Sequence, residues 1–168
     1  RTAERPLRLS YAGQVLRVRG GQLRPNRQFG QVGVEIIGSD SAWADVEVGR
    51  LAADGLRSSG IQGLTIDLNL PPLAPALAQA LSLSPRQTTA LLSALDHKDV
   101  AAVRSVIPEH ADLFVSLLQT VGLLDTALAK LEALSLPDAV HPLISAYCTI
   151  ARLIRVAAPD LSLTSDPL

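Results

Sequence analysis

The alternation of apolar and polar residues at the start of the chain predicts three strands. Apolar residues occupy every second position from 7 to 11, which is typical of a half-buried strand. Ala12-Gly13 is expected to turn the chain. Two further strands are expected over residues 14–19 and 29–37, and the loop that joins them is rich in turn-forming residues.

A helix is predicted after the third strand. Gly38-Ser39-Asp40-Ser41 supplies residue types that commonly cap a helix N-terminus, and Ser58-Ser59-Gly60 is expected to end the helix. Alternation from Leu64 to Leu70 then predicts another strand. Between the two ends of the helix, apolar residues recur at helical spacing and form one stripe: Ala44, Val48, Leu51, Ala52 and Leu56.

The character of the sequence changes after Pro71. Residues 72–158 are rich in leucine and alanine at helical spacing, and we expect five or six short helices there. Ser84 and Pro85 are typical of the N-cap and first position of a helix. Residues 162–164 are expected to begin a final strand, so the chain as a whole is of the α+β class. The predicted helix breaks are at Ser84-Pro85, Pro108, Gly122, Pro137 and Pro159.

Composition narrows the possible functions. Of the 168 residues, 48% are hydrophobic but only 3% are aromatic, which predicts an aliphatic core rather than an aromatic-lined tunnel. The net charge of −1 excludes a general attraction to nucleic acid or to an anionic membrane. Residues 1–27 nevertheless carry seven arginines and one glutamate, a net charge of +6. This segment is interpreted either as a solvated or interface-facing hairpin or as an anion-binding surface.

The remaining composition indicates a cytoplasmic protein without a metal site. The single cysteine, Cys148, permits no disulfide framework and is expected to be a buried structural thiol in a reducing cytosol. No signal peptide is recognised, and the uncharged stretch 68–85 contains four prolines, so no membrane helix is expected. The three histidines, His97, His110 and His141, are too widely spaced for a metal site.

The strand around Gly33 carries the most informative chemistry. Strand periodicity places Phe29, Gln31, Gly33 and Glu35 on one face, with the amide and the carboxylate separated by about 13 Å of backbone. Gly33 is expected to leave an open floor between these polar walls. A carboxylate in an apolar strand needs a donor. That donor is either an amino-acid ligand with an ammonium group and a ring N–H, or an arginine across the hairpin such as Arg17.

Two segments of the sequence resemble motif 2 of class II aminoacyl-tRNA synthetases in its histidyl form. They are Leu16-Arg17-Val18-Arg19 and, after a loop, Arg27-Gln28-Phe29-Gly30-Gln31-Val32-Gly33-Val34-Glu35. The resemblance extends over residues 7–70. It implies an antiparallel sheet of the class II synthetase type with a flanking helix, followed by an all-helical insertion. The implied domains are part of that core over 1–70, the insertion over 71–158, and the start of a returning core strand over 159–168.

The resemblance also assigns roles to individual residues. It implies that Arg17, Gln31 and Glu35 bind histidine and that Phe29 marks a remnant nucleotide-site position. The chain departs from the synthetase pattern at Arg19, which stands where synthetases carry a glutamate that helps to hold ATP. A cation at that position removes an acceptor and opposes adenylate formation. The resemblance therefore implies no catalytic residues, no cofactor and no metal.

A retained histidine site beside an altered ATP site resembles the synthetase-like regulatory subunits of ATP phosphoribosyltransferase. That family implies a non-catalytic subunit that conveys histidine feedback on the first step of histidine biosynthesis. Its partners would be a short-form catalytic subunit, histidine as effector, and further copies through the synthetase-like core, with no tRNA. The chain, which begins at Arg1 and contains no methionine, is expected to be a central fragment. Two alternatives are a fragment of a histidyl-tRNA synthetase and an interaction module whose basic hairpin meets an acidic partner.

Overall fold

The computed structural model describes residues 4–21 and 25–168. The chain divides into two compact units, Arg1–Ile61 and Gln62–Leu168. A strand hairpin with one helix is followed by a mostly helical block with a small sheet, which confirms the α+β class.

A long hairpin dominates the first unit. Strands β1 (Leu7–Leu16) and β2 (Gln28–Ile37) pair antiparallel in an unbroken register that runs from Leu7 opposite Ile37 to Leu16 opposite Gln28. The turn predicted at Ala12-Gly13 is wrong, because both residues continue β1 and lie opposite Val32 and Gln31. A weak local turn signal is overridden when every backbone group finds a partner on the neighbouring strand.

Helix α1 (Ala42–Ser58) begins and ends where the sequence predicts. The Ser41 hydroxyl oxygen accepts a hydrogen bond from the Trp43 amide at 3.3 Å, which satisfies one of the unpaired donors of the first turn. After the helix, Gly60 has a φ of +85°, a conformation that glycine adopts without steric cost.

The apolar stripe of α1 is not the part of the helix that is buried. Its buried residues are Val46 and Ala53, whereas Leu51 and Leu56 in the stripe are each 45% exposed. The stripe from Val48 to Leu56 instead lines one wall of an open cleft of about 760 Å³, and Val32 of β2 lines the wall opposite. Helical spacing identified an apolar surface of the helix, but it did not tell what that surface faces.

Helix α1 covers one face of the hairpin, and an ion pair identifies which face it is. The Arg8 guanidinium donates to both carboxylate oxygens of Glu47 at 2.6 and 2.9 Å. Arg8 lies opposite Ile36 in the ladder, so their face is the one turned towards the helix. Side chains at the alternate positions, including Glu35, point to the other side.

The second unit contains a small mixed sheet and six α-helices. Strands β3 (Thr65–Asn69) and β5 (Ser162–Asp166) are parallel, and the two-residue strand β4 (Gly122–Leu123) pairs antiparallel with β5. A 3₁₀ turn covers Asp138–Val140. The helices are α2 (Leu73–Ala80), α3 (Pro85–Asp96), α4 (Val100–Val106), α5 (Ala111–Leu118), α6 (Leu124–Ala133) and α7 (His141–Ala157).

The breaks predicted from proline, glycine and serine all fall at or just outside the ends of these helices. At the start of α3 the Ser84 amide donates to the Gln87 side chain at 3.1 Å, and the Gln87 amide donates back to the Ser84 hydroxyl at 3.4 Å. This reciprocal capping satisfies two donors of the first turn and confirms the prediction for Ser84.

Two structural observations concern the expected domains. The chain divides into compact units after Ile61, and β3 belongs to the second unit because it pairs with β5. The block 71–158, predicted to be all-helical, also contains β4. The assignment of 1–70, 71–158 and 159–168 to a core, an insertion and a returning strand stays a prediction.

Helix α7 is attached to the sheet by one buried hydroxyl group. Tyr147 Oη donates to the carbonyl oxygen of Leu68 in β3 at 2.9 Å and lies 2.5 Å from the hydroxyl of Ser165 in β5. Ser165 is only 1% exposed, so its hydroxyl depends on this contact. Burial raises the pKa of Tyr147, and the phenol therefore remains protonated and able to donate at neutral pH.

Tyr147→Phe is expected to destabilise the protein by about 1–3 kcal/mol, because it leaves a partly buried carbonyl and a buried hydroxyl without this partner. Denaturant unfolding followed by circular dichroism measures the loss. Thr149→Val is the matched control, since it removes an exposed hydroxyl from the same helix. Equal midpoints for the two variants would contradict the structural role of Tyr147.

Cys148 is expected to react slowly with thiol reagents at neutral pH. The residue is 2% exposed, and burial is the main cause that raises the pKa of its thiol, so the thiolate population is small. Titration with a chromogenic disulfide reagent should reveal one thiol only after denaturant is added. Full reaction within minutes in native buffer would show that the cysteine is not the inert thiol that its burial predicts.

Candidate ligand-binding face of the hairpin

The four residues predicted for the site lie on one face of the hairpin, opposite the face that α1 covers. We call this the open face and define it by Tyr11, Arg17, Phe29, Gln31, Gly33 and Glu35. The β2 members alternate with the helix-facing residues of the strand. About 7 Å of backbone separates Phe29 from Gln31, and about 13 Å separates Gln31 from Glu35.

Arg17 and Phe29 contact each other at one end of the open face. The guanidinium carbon of Arg17 lies 4.7 Å from the centre of the Phe29 ring, within the range of a cation–π interaction. Backbone pairing continues past the end of β1, since the Arg17 amide donates to the Arg27 carbonyl oxygen at 2.8 Å. Arg27 Nε in turn donates to the Arg17 carbonyl oxygen at 3.1 Å. The aromatic ring and the cation are therefore held together beside Gln31.

Glu35 lies at the opposite end, and Arg17 is not its partner. Glu35 is directly across the ladder from Leu9, eight residues from Arg17, which corresponds to roughly 26 Å along the strand. The alternative of an Arg17–Glu35 ion pair is therefore wrong. Glu35 is exposed, and its carboxylate forms no hydrogen bond or ion pair within residues 4–21 and 25–168.

Gly33 does not leave the open floor that the sequence predicted. Gly33 is directly opposite Tyr11, and a Cβ atom built at Gly33 would overlap the Tyr11 ring. The ring therefore lies on the glycine, as aromatic residues commonly do across a strand from a glycine. Gln31 Nε2 donates a hydrogen bond to Tyr11 Oη at 3.1 Å. Tyr11 thus occupies the space between Gln31 and Glu35.

The sequence interpretation did not assign Tyr11 to the site. Tyr11 was identified as a strand residue only, because nothing local indicates which residue of β2 it faces. An aromatic residue often lies across from a glycine on the neighbouring strand, and this preference could have indicated Tyr11. It is usable only when the pairing register of β1 with β2 is known. A predicted turn at Ala12-Gly13 concealed that pairing.

The basic segment is only partly described. Arg17, Arg19 and Arg27 are exposed in the first unit, whereas Arg8 is paired with Glu47. Arg1 and Arg24, which contribute to the net charge of +6, lie outside the described residues. Across the described part of the chain, no three histidine, cysteine or acidic side chains come together as a metal site. None of the helices in that part is long and apolar enough to cross a bilayer.

Comparison with known proteins relates this chain to histidyl-tRNA synthetases and to ATP phosphoribosyltransferase regulatory subunits. The family model described as histidyl-tRNA synthetase matches residues 1–168. An ATP phosphoribosyltransferase regulatory subunit from Rhodospirillum centenum is 48% identical over 98% of this chain and 42% of its own length. One from Paramagnetospirillum magneticum is 46% identical over 98% of this chain and 43% of its own length. The chain therefore spans less than half the length of these curated relatives.

A solved structure shares the fold. The crystal structure described as an ATP phosphoribosyltransferase regulatory subunit/histidyl-tRNA synthetase from Bacillus halodurans C superposes with a TM-score of 0.82. It covers 98% of this chain and 44% of the other chain, at 21% identity. At that identity the similarity establishes the fold alone. Together with the relatives, it confirms the resemblance that the motif 2 segments indicated.

Proposed function

This chain belongs to the histidyl-tRNA synthetase family, and we propose that it is part of a non-catalytic regulatory subunit of ATP phosphoribosyltransferase that senses histidine. The relatives of that name, at 48% and 46% identity, support the proposal. The observation that carries it is the open face, where an exposed carboxylate and an amide flank an aromatic ring.

Histidine binding is proposed for Gln31, Glu35 and Arg17. The Glu35 carboxylate has no partner within the described residues, so an ammonium group or ring N–H of a ligand meets an unused acceptor. Gln31 offers its amide oxygen. Arg17 is carried over from the resemblance and lies at the Phe29 end of the open face, away from Glu35. A small ligand that donates to both Gln31 and Glu35 is the class that these two groups complement.

Adenylate chemistry is not part of the proposal. Phe29 is assigned as a remnant of the nucleotide site, and the Arg17 guanidinium lies over its ring. The adenine of ATP would have to compete with Arg17 for the Phe29 ring. The acidic residue that helps synthetases to hold ATP is replaced by Arg19. No cofactor, catalytic residue or metal is assigned.

Feedback inhibition requires that histidine bind two states of the assembly with different affinities. Histidine inhibits the assembly only if it binds the inhibited state more tightly than the active state, and each tenfold preference corresponds to about 1.4 kcal/mol. The proposed partners are a short-form phosphoribosyltransferase catalytic subunit and further copies of the regulatory subunit, in the cytoplasm. Residues 1–70 would supply part of the synthetase-like core, and 71–158 its insertion.

Glu35→Gln in the complete protein is expected to weaken L-histidine binding by about 1–2 kcal/mol, since it exchanges a charge-assisted contact for a neutral one. Isothermal titration calorimetry measures the change. Glu4→Gln is the control, because it makes the same charge change at an exposed position of the first unit. Unchanged affinity for the Glu35 variant would remove Glu35 from the site.

The alternative function, a histidyl-tRNA synthetase, is distinguished by its partial reaction. The complete protein is expected to show no histidine-dependent exchange between ATP and pyrophosphate, because Arg19 disrupts the ATP site. A genuine synthetase assayed in parallel establishes the sensitivity. Histidine-dependent exchange at a rate comparable with that enzyme would replace the regulatory proposal with the catalytic one.

A further inference from the structure

Tyr11 occupies the centre of the open face. It lies opposite Gly33, which is two residues from Gln31 on one side and two from Glu35 on the other, about 7 Å of backbone in each direction. Its ring lies on the glycine, and its hydroxyl accepts a hydrogen bond from Gln31 at 3.1 Å. The residue is 45% exposed, so part of the ring remains accessible to a ligand.

We propose that Tyr11 determines the ligand specificity of this face, with its ring as the floor of the site and its hydroxyl as the group that orients the Gln31 amide. The inference rests on the proposed histidine-binding function and assigns that site a residue beyond Arg17, Gln31 and Glu35. Its position on β1 also means that both strands of the hairpin contribute to recognition.

The hydrogen bond from Gln31 Nε2 to Tyr11 Oη leaves the acceptor end of the Gln31 amide for a ligand. A glutamine amide has a donor end and an acceptor end. The donor end, Nε2, is directed to Tyr11 Oη, and the acceptor end, Oε1, has no hydrogen bond within the described residues. An ionised carboxylate such as Glu35 only accepts. Both walls of the site therefore present acceptors.

Two acceptor walls select a ligand that donates at both ends. An amino acid with an ammonium group and a second N–H on its side chain satisfies both, and a histidine imidazole supplies that second donor. An analogue that lacks the ring N–H leaves one acceptor unpaired, which is strongly disfavoured in recognition sites. The Tyr11 ring adds a π surface that favours a flat or cationic group above it.

The contrary possibility is that the ring obstructs the site and must leave before a ligand binds. The two arrangements predict opposite effects for Gly33→Ala. The added methyl group overlaps the Tyr11 ring and displaces it from the floor. If the ring is the floor, this displacement weakens binding; if the ring is an obstruction, the displacement strengthens it.

The test is calorimetry on the complete protein with L-histidine and Nτ-methyl-L-histidine. Tyr11→Phe keeps the ring and removes the hydroxyl, and we expect about three- to tenfold weaker L-histidine binding, as for loss of one neutral hydrogen bond. The preference for L-histidine over the methylated analogue should narrow by a similar factor, because the Gln31 amide is then free to reverse. A purely structural role for the hydroxyl would leave that preference unchanged.

Gly33→Ala should weaken L-histidine binding at least as much as Tyr11→Phe does. Its matched control is Gly30→Ala in the same strand but on the opposite face, where an added Cβ meets only the Gln14 side chain, at 3.9 Å. Tyr11→Ala combined with Gly33→Ala should bind no more weakly than Tyr11→Ala alone, because the ring that the methyl displaces is absent. If the losses of binding free energy from Tyr11→Ala and Gly33→Ala were additive in the double variant, the Tyr11 ring would not be the floor of the site.

The outcomes separate the inference from the function on which it rests. If the unaltered protein does not bind L-histidine, the proposed function fails and this inference fails with it. If the unaltered protein binds but Tyr11→Phe retains both its affinity and its preference, only the role of Tyr11 is overturned. Tighter binding by Gly33→Ala would establish the ring as an obstruction and would also overturn the proposal.

Discussion

The continuous ladder between β1 and β2 determines which side chains the first unit presents on each face of its hairpin. Ten consecutive residue pairs fix which side chains share a face, and a shift of one position would exchange the two faces completely. In the observed register Arg8 reaches Glu47 on α1, so the helix covers that side. The same register places Tyr11 over Gly33, on the side that stays open to a ligand. The ion pair and the aromatic contact thus depend on a single alignment.

Features specified by neighbouring residues were predictable from the sequence. The cap at Ser84 and the ends of α1 each depend on a few adjacent residues, and the structure agrees with all of them. The alternation within β2 also identified which of its residues share a face, since that property requires only the period of the strand. The synthetase-like resemblance was available for the same reason, because motif 2 is a local pattern of residues.

Features that depend on distant partners were not predictable. The supposed turn at Ala12-Gly13 is a straight strand because β2 pairs with it. Leu51 and Leu56 have the spacing of buried residues but line an open cleft, since spacing does not report what packs against a helix. The place of Tyr11 in the site requires knowledge of its partner 22 residues away. A site assembled from two strands is incompletely specified by either strand alone.

The pairing of β3 with β5 determines when the sheet of the second unit is able to form during synthesis. The hydroxyl of Thr164 donates to the carboxylate of Asp67 at 2.6 Å, so the sheet joins residues that are 97 positions apart. The helices between them have mostly local contacts and are able to form early, whereas the sheet closes only when the last strand arrives. During synthesis, β3 therefore leaves the ribosome long before its partner does. Until then its edge is unpaired, and Tyr147 lacks its partner Ser165 on β5.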